Sequence, residues 1–476
     1  MHNFYFSNNI NTKWFICIGI ILHLVASYYS IGYYSADEHY QIIGPLEKLL
    51  DIENTLTWEF EWKIRPWIQP YFYFYITKII NLININDPYI IIFYLRLTSS
   101  IIGLISIVFL FNHLKHELNL NNNISKFFIF CFWFYAFLHA RTSSENLSIS
   151  MLIFGVIMFD KIFKSNQNNK YALSISSGIF LGLSIVLKYQ IAVSVFCVSL
   201  WYLINKLNLN HFKYLITCSF FLIFTLLISL LFDYYGYGHW HNTYFKYYYA
   251  NFEAKWFENF GNDPWWYYSK IILEKFFPPV SILVFISFIF FWYKQPKSIF
   301  TYLSLPVILI LSSLSNKELR FLFPVLIFFP FVLSYFFSNT KIFFLKIFLI
   351  NFVLFFNFLF MIVLFIPATE QVKIYKFLFY NINKEENSKI FYYEDNPYII
   401  DDLEPKFYTS FLPKISKYDE KTNINNSFLI IRKYELIEKL VNNKNCNLVH
   451  SVYPQKIINL NKNWRDRNFN WYVLKC

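Results

Sequence analysis

Residues 14–41, "WFICIGIILHLVASYYSIGYYSADEHYQ", form an apolar run that ends in two adjacent carboxylates, Asp37 and Glu38. The run matches the roughly 20 residues that cross a bilayer, and no Asp, Glu, Lys or Arg interrupts it before Asp37. A carboxylate so close to hydrocarbon is costly unless it has work to do. The junction therefore reads as the end of a membrane span opening onto a functional face.

Apolar stretches of this kind recur as far as Pro367, and the remainder is of ordinary polar composition. The 476-residue chain is 56% hydrophobic and only 15% charged, against roughly a quarter charged in soluble domains. The fold class expected is all-α and multi-pass, with about eleven transmembrane helices and a small α/β C-terminal soluble tail. The division expected is a transmembrane domain over 1–367, with its first external loop at 35–87, and a C-terminal domain over 368–476. A net charge of +12 does not call for nucleic acid, because polytopic proteins keep lysine in their cytoplasmic loops. Cys17, Cys131, Cys197 and Cys218 lie in apolar stretches, where a thiol behaves as a small hydrophobe. Cys446 and Cys476, both in the tail, are the two that can pair, given an oxidising compartment. "MHNFYFSNNINTK" at the start lacks a signal peptide's basic region and small-residue cleavage site, so the first run is expected to stay as an anchor.

The spans expected are 14–34, 88–113, 127–141, 146–164, 171–187, 190–206, 213–234, 270–293, 298–315, 320–338 and 341–366. With the N-terminus in the cytoplasm, the linkers bearing Lys115, Lys161, Lys164, Lys170, Lys206, Lys213, Lys294, Lys297 and Lys341 all fall on the cytoplasmic side, as the positive-inside bias requires. Pro70–Ile85 is apolar but short and is taken as interfacial or re-entrant, since a twelfth span would reverse every later loop. The opposite face then receives 35–87, the 141–145 corner, the 235–269 loop, the turn at Ser315–Leu319 and the tail.

That face carries the unusual chemistry. The first loop, "SADEHYQIIGPLEKLLDIENTLTWEFEWKIRPWIQP", is acidic with interleaved tryptophans. Loops are commonly polar and tryptophans favour membrane interfaces, but neither habit explains carboxylates at the very end of a span. "ARTSSENLS" sets Arg141 at a tight corner, where a snorkelling arginine would look the same. "NFGNDPWWYYSK" holds Trp265 before the next span. "LSNKELRFLFP" crowds Lys317, Glu318 and Arg320 into a hairpin facing away from the cytoplasm, and paired Lys and Arg are suited to a phosphate. Carboxylates that can take a proton from a hydroxyl, cations for a phosphate and aromatic faces for sugars together suit glycosyl transfer from a lipid phosphate. Asp51 and Glu53, spaced like a DxD pair, read as a solvated face, and His39 takes no role in this reading.

These motifs resemble those of glycosyltransferase family 22, the lipid-phosphate-mannose-dependent mannosyltransferases. "TWEFEWKIRPWIQP" resembles its TWE…R-S…P motif, "DEHYQ…E" its acidic first loop, "RTSSENLS" its RT-x-[ST]-N corner and "SNKELRFLFPVL" its HKE-x-RF-x-x-P hairpin. "FGNDPWWYY" is similar to YG-x-HPWHWY, as in the GPI-anchor branch of the family. The resemblance implies a GT-C fold, an active site on the lumenal or periplasmic side, and mannose transferred with inversion from polyprenyl (dolichyl) phosphate mannose to a lipid-linked glycan, a GPI precursor in the first instance. It also implies Asp37 as base with Glu38 in support, Lys317 and Arg320 on the donor phosphate, and Trp58, Glu59 and Arg65 shaping the first loop, with no metal or cofactor. Arg141, Trp265 and Glu318 complete the substrate-binding set. Departures from the pattern are Asn316 for His, Pro66 for Ser, Glu145 for Asn, Asp263 and Trp266 for histidines, and Lys188-Tyr189 for Arg-Pro. The membrane implied is the endoplasmic reticulum in a eukaryote or the inner membrane in a bacterium, where a GT-C enzyme of an envelope pathway with another sugar or acceptor would be the alternative. A transporter or flippase would instead place ionisable groups deep in its spans and repeat itself; only Arg96 and Lys188 lie in or at the end of apolar runs, and no repeat is evident.

Overall fold

The computed structural model describes residues 10–476 except 53–55, 165–168, 257–260, 277, 279, 383–388, 401, 420–423, 425, 435–436, 438–439, 442–445 and 459–469. Glu53 lies outside the described residues. The chain divides into two compact units. The first comprises Met1–Ser27, Trp58–Phe72 and Arg96–Leu364, and the second Tyr28–Thr57, Tyr73–Leu95 and Phe365–Cys476.

The first unit is helical because long runs of Ile, Leu, Phe and Val leave the backbone to satisfy its own polar groups in hydrocarbon. Its elements include most of α1 (Thr12–Tyr29), the start of α2 (Ile68–Leu82), the greater part of α3 (Pro88–Leu114), the broken pair α4 (Asn123–Phe130) and α5 (Trp133–His139), α6 (Ser144–Ile162), α7 (Lys170–Leu187), α8 (Ala192–Asn205), α9 (Phe212–Tyr237), α10 (Val280–Lys294), α11 (Leu305–Ser312), α12 (Phe329–Asn339) and α13 (Phe343–Phe360). Among the described residues, α1, α3, α7, α9 and the stretch Phe343–Phe365 are long and apolar enough to cross a membrane. Leu319–Leu326 with α12 makes a sixth if that pair, bent by 50°, is one span. The expected count of eleven is thus not reached by length. Several expected spans are short or broken helices: α4 and α5 part at Cys131–Phe132, and α8 and α10 have 14 and 15 residues. Helix α6 carries Glu145, Asp160 and Lys161.

Helices α6, α7 and α9 pack through small residues. In "SISSGIFLGLS" (174–184), Ser174, Ser177, Gly178, Gly182 and Ser184 are buried. A Cβ on Gly178 would collide with the Cys218 carbonyl oxygen, and one on Gly182 would lie 2.7 Å from Thr225 Cβ. Across the other side, Ser177 Oγ donates to the Gly155 carbonyl at 3.0 Å. Small residues let backbones approach where lipid supplies no hydrophobic drive to association.

The second unit includes a five-stranded mixed sheet in the order β2-β1-β3-β5-β4, built from β1 (Lys389–Tyr392), β2 (Ile415–Lys417), β3 (Ser427–Ile431), β4 (Asn447–Ser451) and β5 (Tyr472–Lys475). Strand β1 runs parallel to β2 and β3, and β5 antiparallel to β3 and β4. Every residue of β3, "SFLII", is buried, as a central strand's apolar run requires. Cys446 and Cys476 are joined, the pair singled out from the sequence. The small α/β character expected of the tail is present, with α14 (Glu370–Ile382) burying Val372, Tyr375 and Leu378.

Because the Gly178 contact is with backbone, it cannot be relieved by a rotamer change. Gly178→Val is expected to destabilise the first unit by about 1–3 kcal/mol, the usual cost of overpacking, read as a lowered Tm of the detergent-purified protein. Phe220→Leu, at an exposed position of α9, is expected to leave the Tm within a degree or two.

Candidate active site

The acidic junction belongs to the second unit. Gly32 adopts φ +87°, and a Cβ there would sit 2.6 Å from Thr369 Cβ, so the turn out of α1 requires glycine for both conformation and space. The adjoining backbone is pinned: Tyr33 N donates to Thr369 Oγ1 at 2.9 Å, and Ala368 N to the Ile31 carbonyl at 2.7 Å. Asp37 and Glu38 follow on the short helix Ala36–Glu38, which passes directly into a π-turn over His39–Ile43. π-Turns of this kind are frequent at functional sites. Glu38 is buried and accepts from Tyr34 N at 2.9 Å, whereas Asp37 is half-buried. The two neighbouring carboxylates thus have different environments. His39 is buried between the rings of Tyr33 and Tyr408, with Nε2 3.2 Å from Glu47. Glu47 also accepts from Phe407 N at 2.7 Å.

In the first unit, three interruptions in the helices meet around one small cavity. At the corner before α6, Ser143 caps the helix, and Asn146 Nδ2 donates to the carbonyls of His139 and Arg141 at 2.7 and 2.9 Å. The Arg141 side chain is buried, its guanidinium 5.3 Å from the Phe137 ring centroid. Gln69 from α2 donates to the Thr142 carbonyl at 2.8 Å. Glu145 lies in the first turn of α6 and pairs with Lys188 at 2.7 Å, both side chains buried. Lys188 is the extended residue between α7 and a 3₁₀ turn, Tyr189–Ile191. Arg320, from the third break, is bonded to Glu318 at 2.7 Å. Glu145, Lys188 and Arg320 all line the cavity.

Lys317 is buried, and its ammonium donates to the carbonyls of Asp263, at 2.7 Å, and Leu314. Asp263 N in turn donates to the Ser315 carbonyl at 2.9 Å. The lysine therefore fastens the 315–319 hairpin to the loop before "PWWYY". Burial lowers its pKa, and the Asp263 carboxylate opposes that. Trp265, two residues beyond Asp263, is exposed.

The segment 58–67 is clamped from another direction. Asp233, buried near the end of α9, accepts from Trp67 N at 2.8 Å and from Thr243 Oγ1 at 2.6 Å. Tyr237 OH donates to the Arg65 carbonyl at 2.7 Å, and Gly236 leaves room for the Trp67 ring. Arg65 Nε is held by Glu59 at 3.0 Å. Trp58 and Trp62 both meet the Trp256 ring, with centroids at 5.0 and 4.2 Å. Asp51 is exposed, and no group of three or more His, Cys, Asp and Glu able to hold a metal occurs among the described residues.

Residues 13–400 match the model of the Alg9-like mannosyltransferase family. The chain belongs to this family. It is 27% identical over 313 residues to the mannosyltransferase APTG1 of Arabidopsis thaliana, covering 62% of this chain and 53% of that one. It is 26% identical over 301 residues to GPI alpha-1,2-mannosyltransferase 3 of Homo sapiens, covering 61% and 51%. The matches thus span about half the length of these relatives. In fold it is similar to ArnT from Cupriavidus metallidurans bound to undecaprenyl phosphate, with a TM-score of 0.58 at 8% identity over 98% of both chains. The Alg9-like assignment agrees with the resemblance of the motifs, and the ArnT likeness with the GT-C fold they imply.

Two features of this member were not assembled from sequence. Glu145 and Lys188 stood out separately as departures from the motif pattern; in the structure they pair at 2.7 Å. Asp233 was visible in "FDYYGYGHW", but nothing in its spacing announces the backbone N–H of a residue 166 positions earlier. Asp233→Ala leaves that N–H unsatisfied, whereas the Thr243 hydroxyl keeps His241 Nε2 at 3.0 Å. The substitution is expected to cost about 1–3 kcal/mol for the orphaned group, measured as a lower Tm with faster proteolysis within 58–67, whereas Asp233→Asn retains an acceptor and should lose less.

Proposed function

We propose that this chain transfers mannose, with inversion, from polyprenyl (dolichyl) phosphate mannose to a lipid-linked glycan, a GPI-anchor precursor being the acceptor the relatives favour. The observation that carries the reading is the family match across 13–400, joined to cations gathered at the ends of apolar helices around one cavity. The relatives bearing GPI mannosyltransferase names support the acceptor class. The similar ArnT, bound to undecaprenyl phosphate, supports a polyprenyl phosphate as the donor's leaving group.

In this reading the Asp37 carboxylate takes the proton of the acceptor hydroxyl as that oxygen attacks the anomeric carbon. The bond from the anomeric carbon to the phosphate oxygen breaks on the opposite face, and its electron pair leaves with the phosphate. Arg320 holds that phosphate, with Lys317 behind it fixing the hairpin and adding positive charge. Glu38, committed to Tyr34 N, holds the short helix and so positions Asp37. Trp58, Trp265, Arg141 and the Glu59–Arg65 and Glu318–Arg320 pairs supply sugar-facing and phosphate-facing surface. The Cys446–Cys476 bond supports placing the tail in an oxidising compartment, the endoplasmic reticulum lumen for a eukaryotic source.

The test is transfer of radiolabelled mannose from dolichyl phosphate mannose to membrane glycolipids. Asp37→Asn is expected to lower the rate at least about 100-fold, the lower end of what a general base contributes, with unchanged protein in the membrane. Retained activity would remove Asp37 from the base role. No transfer by the wild type to any GPI or N-glycan precursor would remove the substrate class.

A further inference from the structure

Glu145, Lys188 and Arg320 line a cavity of about 20 Å³, together with the polar residues Ser148, Gln190 and Ser194 and an apolar wall that includes Val307 and Leu311. That is room for roughly one water. The Glu145 and Lys188 side chains are 8% and 5% exposed. Each of the three charges comes from a place where a helix starts or is interrupted.

Arg320 is paired with Glu318 at 2.7 Å, so Glu145 is the carboxylate that balances the buried Lys188 ammonium. Removing an anion from a buried lysine is strongly unfavourable, yet a buried ion pair contributes little net stability compared with its desolvation. The cluster therefore requires an anion at Lys188 but has little preference for this particular one. A phosphate monoester carries up to two charges and three acceptor oxygens, and guanidinium and ammonium groups bind it at least as well as a carboxylate. Glu145 is also suited to hold the place when phosphate is gone. It lies in the first turn of a 19-residue helix, where the helix dipole favours negative charge.

We propose that Lys188 and Arg320 form a phosphate site which the Glu145 carboxylate occupies as an internal counter-anion, so that lipid phosphate and carboxylate exchange at the same cations. The inference rests on the lipid-phosphate reading above and adds a residue pair and a direction to it. The polyprenyl phosphate left after sugar transfer is a tight ligand for two cations, and Glu145 competes with it and speeds its departure. Lys188 is thereby a phosphate-binding residue, and Glu145 a residue that acts through Lys188.

The experiment measures dolichyl phosphate binding to the full-length protein in lipid nanodiscs, with dolichol as the uncharged control and inorganic phosphate as competitor. Glu145→Gln is expected to bind dolichyl phosphate about tenfold more tightly than wild type, and Lys188→Gln about tenfold more weakly, each the equivalent of one ion pair. Dolichyl phosphate should then inhibit mannose transfer by Glu145→Gln at correspondingly lower concentration, with kcat and KM falling together. A merely structural pair predicts instead that Glu145→Gln binds equally or more weakly, and that result overturns the proposal. Should Glu145→Gln fail to fold, Glu145→Asp, whose shorter carboxylate reaches Lys188 less well, must still bind more tightly than wild type or the proposal falls. Displacement by inorganic phosphate at the same concentration as dolichyl phosphate would reassign the site to free phosphate and overturn its lipid role. The binding arms contain neither sugar nor acceptor, so absence of mannose transfer with the expected binding order would refute the functional reading and leave the exchange standing.

Discussion

A charged side chain inside this protein must be partnered, because the apolar helices around it offer no water to replace the lost hydration. Most of the first unit's polar architecture follows from that constraint. Glu145, Lys188, Arg141, Lys317 and Asp233 are all buried, and each lies at or within about a turn of a helix start, end or break. Helix interruptions are where carbonyl and amide groups become available, so the same places that need partners supply them. Lys317 uses carbonyls of its own hairpin and of Asp263, and Asp233 uses the amide of Trp67.

Beneath this polar layer, α6, α7 and α9 are held at close range by glycine and serine. A rigid stack of this kind has a functional use. Glu145 stands at the start of α6 and Lys188 just past the end of α7, so their separation is set by how those two helices pack. The second unit solves a different problem, since its mixed sheet and disulfide are devices of a water-soluble fold.

Much of this could be read before any coordinates. The apolar runs announced a helical membrane body, and "ARTSSENLS" and "LSNKELRFLFP" each stood out for their charge; in the structure Glu145 and Arg320 share a cavity. Asp37 and Glu38 have unlike surroundings, one half-buried and one bonded to Tyr34 N, which two adjacent letters of the same chemistry do not reveal. The number of spans was less legible. Hydropathy records how apolar a stretch is and not whether its helix continues, and the breaks at Cys131–Phe132 and around Lys188 fall inside or between apolar runs.

Local sequence determined what depends on neighbours along the chain: which stretches enter hydrocarbon, where charge is tolerated and that Cys446 and Cys476 are the cysteines free to pair. Tertiary structure alone decided who meets whom. Lys188 meets Glu145 across 43 positions, as the numbering shows, and Asp233 meets Trp67 across 166. Such pairs have no period or motif, because a buried charge selects its partner by distance and desolvation after the helices have packed, and neither quantity is written in the order of the residues.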